Sequence, residues 1–428
     1  MISRRSFLGA VAAPSLAAAC TGPDLHRALQ RAQGDPRGPE EVAADETFWR
    51  EIQAAFPVDR SLTNLNNGGA SPAPSVVQER LEHRLRISND APPYHMWQLL
   101  APGREVVRQG LAREFGGDVE EFAITRNSSE SLMICQHGLD LERGDEVLTT
   151  DQDYHRMLKA FRQRERRDGI VLRQVELPVP CDDDDVVVRR FADAITARTR
   201  LILICHVINL TGQVLPVAKV CAMARERGVP VLVDGAHAIA HFPFRIDELG
   251  CDFYASSLHK WLFAPMGTGL LWIRRDRIAD VWPLFSALPE QDGDIRKFEE
   301  IGTHPVAIGL GIAEALAFHR GLGVERKLAR LVLLRDRWVR ELAPLERVRL
   351  LTDLSPGRAG AIATVQIEGV PTAPLVEHLW DRHRILCAGI RHRRFEGVRV
   401  SPSVYTTPAE IDRFVEVMTG IARNGLPG

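Results

Sequence analysis

The chain has 428 residues, enough for a large core and for two or three domains. Its 54 basic and 56 acidic side chains leave a formal net charge of −2, which removes any global electrostatic case for nucleic acid or an anionic membrane as a partner. Seven cysteines with no C-x-x-C spacing, most of them in apolar runs such as Leu201–Cys205, read as buried inert thiols and not as a metal site.

Residues 1–20 read as a targeting segment. Ser3-Arg4-Arg5-Ser6-Phe7-Leu8 is a twin-arginine pattern, and the modestly apolar stretch that follows is shorter than the roughly 20 residues a membrane-spanning helix needs. Ala17-Ala18-Ala19-Cys20 suits signal-peptidase cleavage; lipidation of Cys20 is the lesser expectation, because the usual leucine sits one place too early. The expected partner is therefore the twin-arginine export machinery and the expected destination periplasmic or secreted. That route carries folded proteins. Residues 21–45, rich in Gly, Pro, Ala and charge, read as a flexible spacer.

An N-terminal arm is expected over 46–75. Within it Leu62-Thr63-Asn64-Leu65-Asn66-Asn67-Gly68-Gly69 is a polar, glycine-punctuated loop able to reach a ligand, with Asn66 and Asn67 as candidate substrate contacts. Pro72 to Pro74 lead into a helix from about Ser75. From about 105 to 275 amphipathic helices alternate with short apolar strands at Glu121–Thr125, Glu146–Thr150, Ile170–Val175, Leu201–Val207, Val229–Val233, Phe253–Ala255 and Gly269–Ile273. This rhythm predicts an α/β domain over 76–305 with a mostly parallel sheet. Helical stretches at Ala307–Gly321 and Val324–Leu342 precede a smaller α/β segment, and the small domain is placed at 306–428.

Five segments at strand ends carry chemistry. Thr125-Arg126-Asn127-Ser128-Ser129 opens a helix, where hydroxyls, free amides and the helix dipole suit a phosphate. Asp153-Tyr154-His155 offers aromatic groups for stacking on a planar cofactor, and Cys205-His206-Val207-Ile208-Asn209 an amide for a phenolic oxygen. Asp234, closing the run Val229–Val233, offers a carboxylate for a ring nitrogen. In Ala255-Ser256-Ser257-Leu258-His259-Lys260-Trp261 a lysine stands between apolar runs. Burial lowers the pKa of such an amine, and the neutral form attacks aldehydes to form a Schiff base. A lysine with an aspartate for a pyridinium nitrogen is a minimal provision for pyridoxal phosphate. Charge runs at Arg162–Arg167 and Asp182–Asp185 read as solvated faces, Arg391 only as a minor contributor of charge, and Gly309-Leu310-Gly311 as too incomplete for a dinucleotide motif.

Taken in order, these segments resemble the class V aminotransferase group of fold type I pyridoxal-phosphate enzymes, from Asn64 to the C-terminus. The most specific stretch runs from Val233-Asp234-Gly235-Ala236-His237 through Ser257-Leu258-His259-Lys260. The resemblance implies a large, mostly parallel sheet of the seven-stranded type and a smaller C-terminal α/β domain. It implies that Lys260 holds the cofactor aldehyde and shuttles protons, Asp234 pairs with the ring nitrogen, Asn209 donates to the phenolic oxygen, and His237 lies beside the ring. Tyr154 would stack on the ring, with His155 in contention. Ser128, Ser129, Ser257 and His259 would bind the phosphate. Phe298-Glu299-Glu300-Ile301-Gly302-Thr303 is similar to a family segment in which Thr303 would reach the phosphate of a partner subunit, so a homodimer with shared active sites is implied. Arg399, in Gly397-Val398-Arg399-Val400, matches the clamp for the substrate α-carboxylate.

Such a site permits epimerisation, transamination or elimination. The chain is most similar to the isopenicillin N epimerase-like branch, whose exported members include a periplasmic enzyme that modifies the glutamyl residue of pyoverdine-type siderophores. The expected substrate is an amino acid or a peptide-borne amino acid. A cysteine desulfurase or β-lyase is the alternative, disfavoured because residues 388–398 contain no cysteine and Cys387 lies in an apolar run. A protein that binds the cofactor or an amino compound without turnover is the other, and binding alone does not require Lys260.

Overall fold

The structure, a computed structural model of the single chain, describes residues 29–30 and 33–427. The twin-arginine pattern and Cys20 lie outside the described residues.

Thirteen strands build three sheets among the described residues. After β1 (Thr63–Asn64) come β2 (Phe122–Thr125), β3 (Glu146–Thr150), β4 (Val171–Val175), β5 (Thr199–Cys205), β6 (Val231–Asp234), β7 (Phe253–Ser257) and β8 (Gly269–Ile273). These last seven form one sheet in the order β2-β8-β7-β6-β5-β3-β4, in which β8 alone runs against its neighbours. The expected strands are all present, with ends displaced by up to two residues; β5, for instance, stops at Cys205, and Val207 pairs instead with Val214 in an isolated antiparallel bridge.

Alternation explains why these strands read as continuous apolar runs. Ile202, Ile204, Val231, Val233 and Leu270 point into one core, while Leu201, Leu203, Leu232 and Leu271 point into another. Both faces are thus covered, as a parallel sheet requires. Helices Ser128–Gly138 and His155–Asp168 supply Leu132, Ile134, Met157 and Phe161 to the second core, and helices such as Val217–Glu226 and Ile312–Leu322 cover the first.

A second sheet contains β9 (Val348–Leu350), β10 (Ala363–Ile367), β12 (Ala388–Arg391) and β13 (Glu396–Val400), antiparallel in the order β12-β13-β10-β9. Between them β11 (Ile385–Leu386) pairs in parallel with β1, so the N-terminal arm is stitched to the C-terminal region. Leu65 lies in the same core as Trp338, Val398 and Phe414.

Two domain expectations require correction. Helices Val306–Leu310 and Ile312–Leu322 place Val306, Leu316 and Leu322 in the large-domain core, not in a small domain beginning at 306. The transition falls inside helix Val324–Leu342: Leu331 packs with the large core, Leu334 and Trp338 with the small one. An amphipathic stripe identifies a helix but does not say which sheet it covers. The supposed spacer is also seated on the fold in part. Pro39–Ala43 is a helix with Val42 and Ala43 buried, and its carbonyls accept from the Trp49 indole (2.8 Å, to Val42) and from Arg330 Nη1 (2.9 Å, to Ala43). Its Pro and Gly sit at the helix start, where they are tolerated, and not within it.

Candidate active site

The five segments singled out above follow the ends of β2, β3, β5, β6 and β7, which point the same way and bring them to one edge of the sheet. A cavity of about 450 Å³ opens there. Its walls carry Asn127, Ser128, Ser129, Tyr154, Asn209, Asp234, His237, Ser257, His259, Lys260 and Arg399, together with the backbone at Gly68 and Gly69.

Arg399 arrives from the other domain. Its neighbours on β13, Val398 and Val400, enter the small core, so strand alternation turns Arg399 to the opposite face, toward the large domain. There Nη1 donates to the Asn209 carbonyl (2.7 Å) and Nη2 to Asn66 Oδ1 (3.0 Å), both neutral acceptors. Burial holds its pKa down to about 10, with Tyr154 acting in the other direction.

At the cavity floor Lys260 Nζ lies 3.3 Å from His237 Nε2. Burial lowers the amine to about 8, partly opposed by Asp234, and pushes Asp234 up to about 6, partly opposed by its bond from the Ala236 amide (3.0 Å) and by Lys260. Burial, Lys260 and Arg399 hold His237 well below the usual imidazole range, so it is neutral. At the other end Ser257 Oγ accepts from the Ser128 amide and bonds Ser128 Oγ, each at 2.9 Å. Helix Ser128–Gly138 starts at this point with Asn127 as its cap, its side chain accepting from the Glu130 amide (2.9 Å). His259 is anchored by Nδ1 to the Thr268 carbonyl at 3.1 Å.

Three side-chain atoms of this site are buried with no partner among the described residues: Asn209 Oδ1, His237 Nδ1 and Arg399 Nε. Buried polar atoms are ordinarily satisfied, so three around one cavity mark a place built for polar ligands. One end offers hydroxyls at a helix start, fitted to a phosphate. The middle offers an amine, a carboxylate, an amide and an imidazole, fitted to a substituted pyridine, and a guanidinium with no carboxylate partner among the described residues completes the far side.

Several expected site residues lie elsewhere. Asn67 is fully buried and engaged: Tyr405 OH donates to its Oδ1 (2.6 Å), and its Nδ2 donates to the Asn64 and Ser401 carbonyls, so it braces the arm and does not line the cavity. Asn66 is outside the cavity wall, its Oδ1 accepting from Arg399 Nη2. His155 is exposed at the start of its helix, leaving Tyr154 in the wall. Thr303 is exposed and outside this chain's cavity. Conversely, the wall contains Cys205, Val207 and Arg156, which the motifs did not single out. The position of Cys205 beside the strand end preceding Asn209 was its only sequence signal, and Arg156, two places after Tyr154, was hidden in a charged helix.

The profile of the aminotransferase class-V family matches residues 63–414. The chain is 31% identical over 399 residues to isopenicillin N epimerase of Streptomyces clavuligerus, covering 87% of this chain and 98% of that protein. It is 28% identical over 405 residues to a probable cysteine desulfurase of Mycolicibacterium paratuberculosis, covering 87% of this chain and 58% of that one. Among solved structures, the complex of the cystine C-S lyase C-DES with its reaction product cysteine persulfide superposes with a TM-score of 0.75 at 25% identity, covering 85% of this chain and 98% of the other.

Proposed function

The chain belongs to the aminotransferase class-V family, and from that premise we propose that it is a pyridoxal-phosphate enzyme acting at the α-carbon of an amino acid, free or borne on a peptide, in the manner of isopenicillin N epimerase. The observation that carries this reading is the joining of Lys260, Asp234 and Arg399 around one cavity whose remaining buried polar atoms lack protein partners.

When bound, pyridoxal phosphate supplies an electron-withdrawing ring that makes the substrate α-proton removable. Ser128, Ser129, Ser257 and His259 would hold its phosphate, Asp234 its ring nitrogen, Asn209 and His237 its polar ring edge, and Tyr154 its face. Lys260, with its amine lowered to about 8, would hold the aldehyde and, once released by the substrate, move the proton at the α-carbon. Arg399 would orient the α-carboxylate, since no protein carboxylate competes for its guanidinium.

A desulfurase-like nucleophile is not supported. Cys387 lies between β11 and β12, is 4% exposed, and has its thiol pushed far up by burial. A protein that only binds has no use for an amine so placed. The finer parts of the proposal are export through the twin-arginine pattern, a peptide-borne substrate of the siderophore-maturation kind, and a homodimer in which Thr303 serves the partner's site. The pattern at residues 3–8 supports the first two. Exposed Trp97, Trp282, Phe285 and Leu288 support the third.

The decisive experiment adds pyridoxal phosphate to the purified chain. A visible absorption band that borohydride bleaches, absent in Lys260→Ala, is expected; a wild-type chain that stays colourless sinks the proposal. Exchange of the α-proton in deuterated water, with product mass and chirality recorded, then distinguishes epimerisation from transamination or elimination.

A further inference from the structure

Outside the cavity wall lies a chain of titratable groups, buried at Lys327 and His319, that the proposed chemistry does not use. Lys327, fully buried on the domain-spanning helix Val324–Leu342, donates from Nζ to the carbonyl of Trp261 at 2.7 Å and lies 3.0 Å from His319 Nδ1. The His319 ring in turn faces Glu114, Nε2 to Oε1 3.5 Å, and Glu114 also pairs with Arg320 at 2.8 Å. The Lys327 ammonium stands 5.0 Å from the centre of the Phe263 ring.

Trp261 is the residue immediately after Lys260, and the turn that carries both is strained. Phe263 has φ of +61°, a left-handed conformation that costs a bulky side chain energy and persists only where its surroundings impose it. The turn closes through the Ala264 amide to the Leu258 carbonyl (3.1 Å) and the Leu258 amide to the Thr268 carbonyl (3.0 Å). Trp261 is held a second time through its ring. The His241 imidazole stacks on it, 4.0 Å between centroids and 13° between planes. His241 donates from Nδ1 to the His237 carbonyl (2.7 Å) and accepts at Nε2 from the Ala361 amide (2.7 Å), two residues before β10. Burial lowers the Lys327 amine to about 7, with Glu114 opposing. A buried amine of this kind, spent on one backbone carbonyl, would be an expensive way merely to attach a helix.

We propose that Lys327 is a positioning residue for Lys260: by fixing the Trp261 carbonyl and the strained turn behind it, the Lys327–His319–Glu114 chain sets where the Lys260 amine stands in the cavity. The proposal rests on Lys260 being the residue that holds the cofactor. It also ties the amine to helix Val324–Leu342, which enters the small domain that bears Arg399.

The test compares the wild-type full chain with Lys327→Met, which keeps the apolar stem and removes the donor, and with Glu114→Gln at the partly exposed outer end. Two readouts are taken. One is the pH midpoint of the visible band of the lysine-bound cofactor. The other, on the cofactor-free chain, is the rate at which a small aldehyde with borohydride labels Lys260, resolved by peptide mass spectrometry. In Lys327→Met that retains the wild-type circular dichroism, the midpoint is expected to move by about half a pH unit or more and labelling to slow by about fivefold or more. Glu114→Gln is expected to move both in the same direction by less. A folded Lys327→Met with both readouts at wild-type values overturns the proposal. If that variant does not fold, wild-type values in Glu114→Gln overturn it instead. A wild-type chain that acquires no visible band refutes the cofactor reading, whereas aldehyde labelling of Lys260 still tests the positioning on its own.

Discussion

The ionisation of two side chains sets when the site can load. Lys260, lowered to about 8, becomes a neutral nucleophile as pH rises through that value, and Asp234, raised to about 6, becomes a carboxylate as pH rises through its own. Both changes favour capture of pyridoxal phosphate in the same direction. Capture by the cofactor-free chain is therefore expected to accelerate about tenfold per pH unit below 8 and to level off above it, as measured by growth of the visible band. A flat profile counts against Lys260 as the attacking group. Arg399→Lys keeps a charge but gives up the guanidinium fork, so substrate KM is expected to rise roughly thirtyfold, about 2 kcal/mol, with the cofactor band unchanged in steady-state spectra. Lys260, Asp234 and Arg399 were legible because each is a charged residue in a run where burial is otherwise apolar. The burial of Asn67 was not legible for a physical reason: a polar glycine-rich loop looks the same whether its amides face a ligand or, as here, bind Tyr405 and the Ser401 carbonyl.

Strands were the most legible elements, since their apolar runs are bounded by turn residues and the functional groups follow at their ends. Close approach at those ends was less visible. Gly235 follows β6, and a Cβ there would overlap the buried Tyr254 ring, whose hydroxyl bonds His206 Nδ1 at 3.1 Å. Gly235→Ala must therefore displace Tyr254 or the backbone beside Asp234. A loss of about 1–3 kcal/mol, read as a melting temperature lowered by a few degrees, is expected together with weaker cofactor retention. An unchanged melting curve contradicts the packing described here. The helix Val324–Leu342 was found in place from its stripe of apolar residues. What remained hidden was its division of labour between two cores, because pairings such as β1 with β11 join residues more than three hundred positions apart.

The complete molecule raises two further expectations. Trp282 is 63% exposed and Trp97 52%, more apolar surface than an isolated domain needs to show. Light scattering is expected to report twice the chain mass, and Trp282→Glu to shift it toward the single chain with loss of cofactor; a monomeric, fully loaded wild type would exclude shared sites. Replacing Arg4 and Arg5 by lysine is expected to retain the chain inside the cell in fractionation of a host with a twin-arginine system. Export that persists in that variant, or that fails in the wild type, rules out the route.

The pairing of Thr63 with Ile385 also bears on timing. At a synthesis rate of about 5–20 residues per second, the three-hundred-odd residues between these partners take roughly 15–60 s to emerge from the ribosome. For that interval the arm has no strand to join, Asn66 cannot meet Arg399, and the cavity lacks its far wall. Assembly of the binding site is therefore a late, post-synthetic event with high contact order. Export of the folded chain by the route proposed above would have to wait until the last strands have been made.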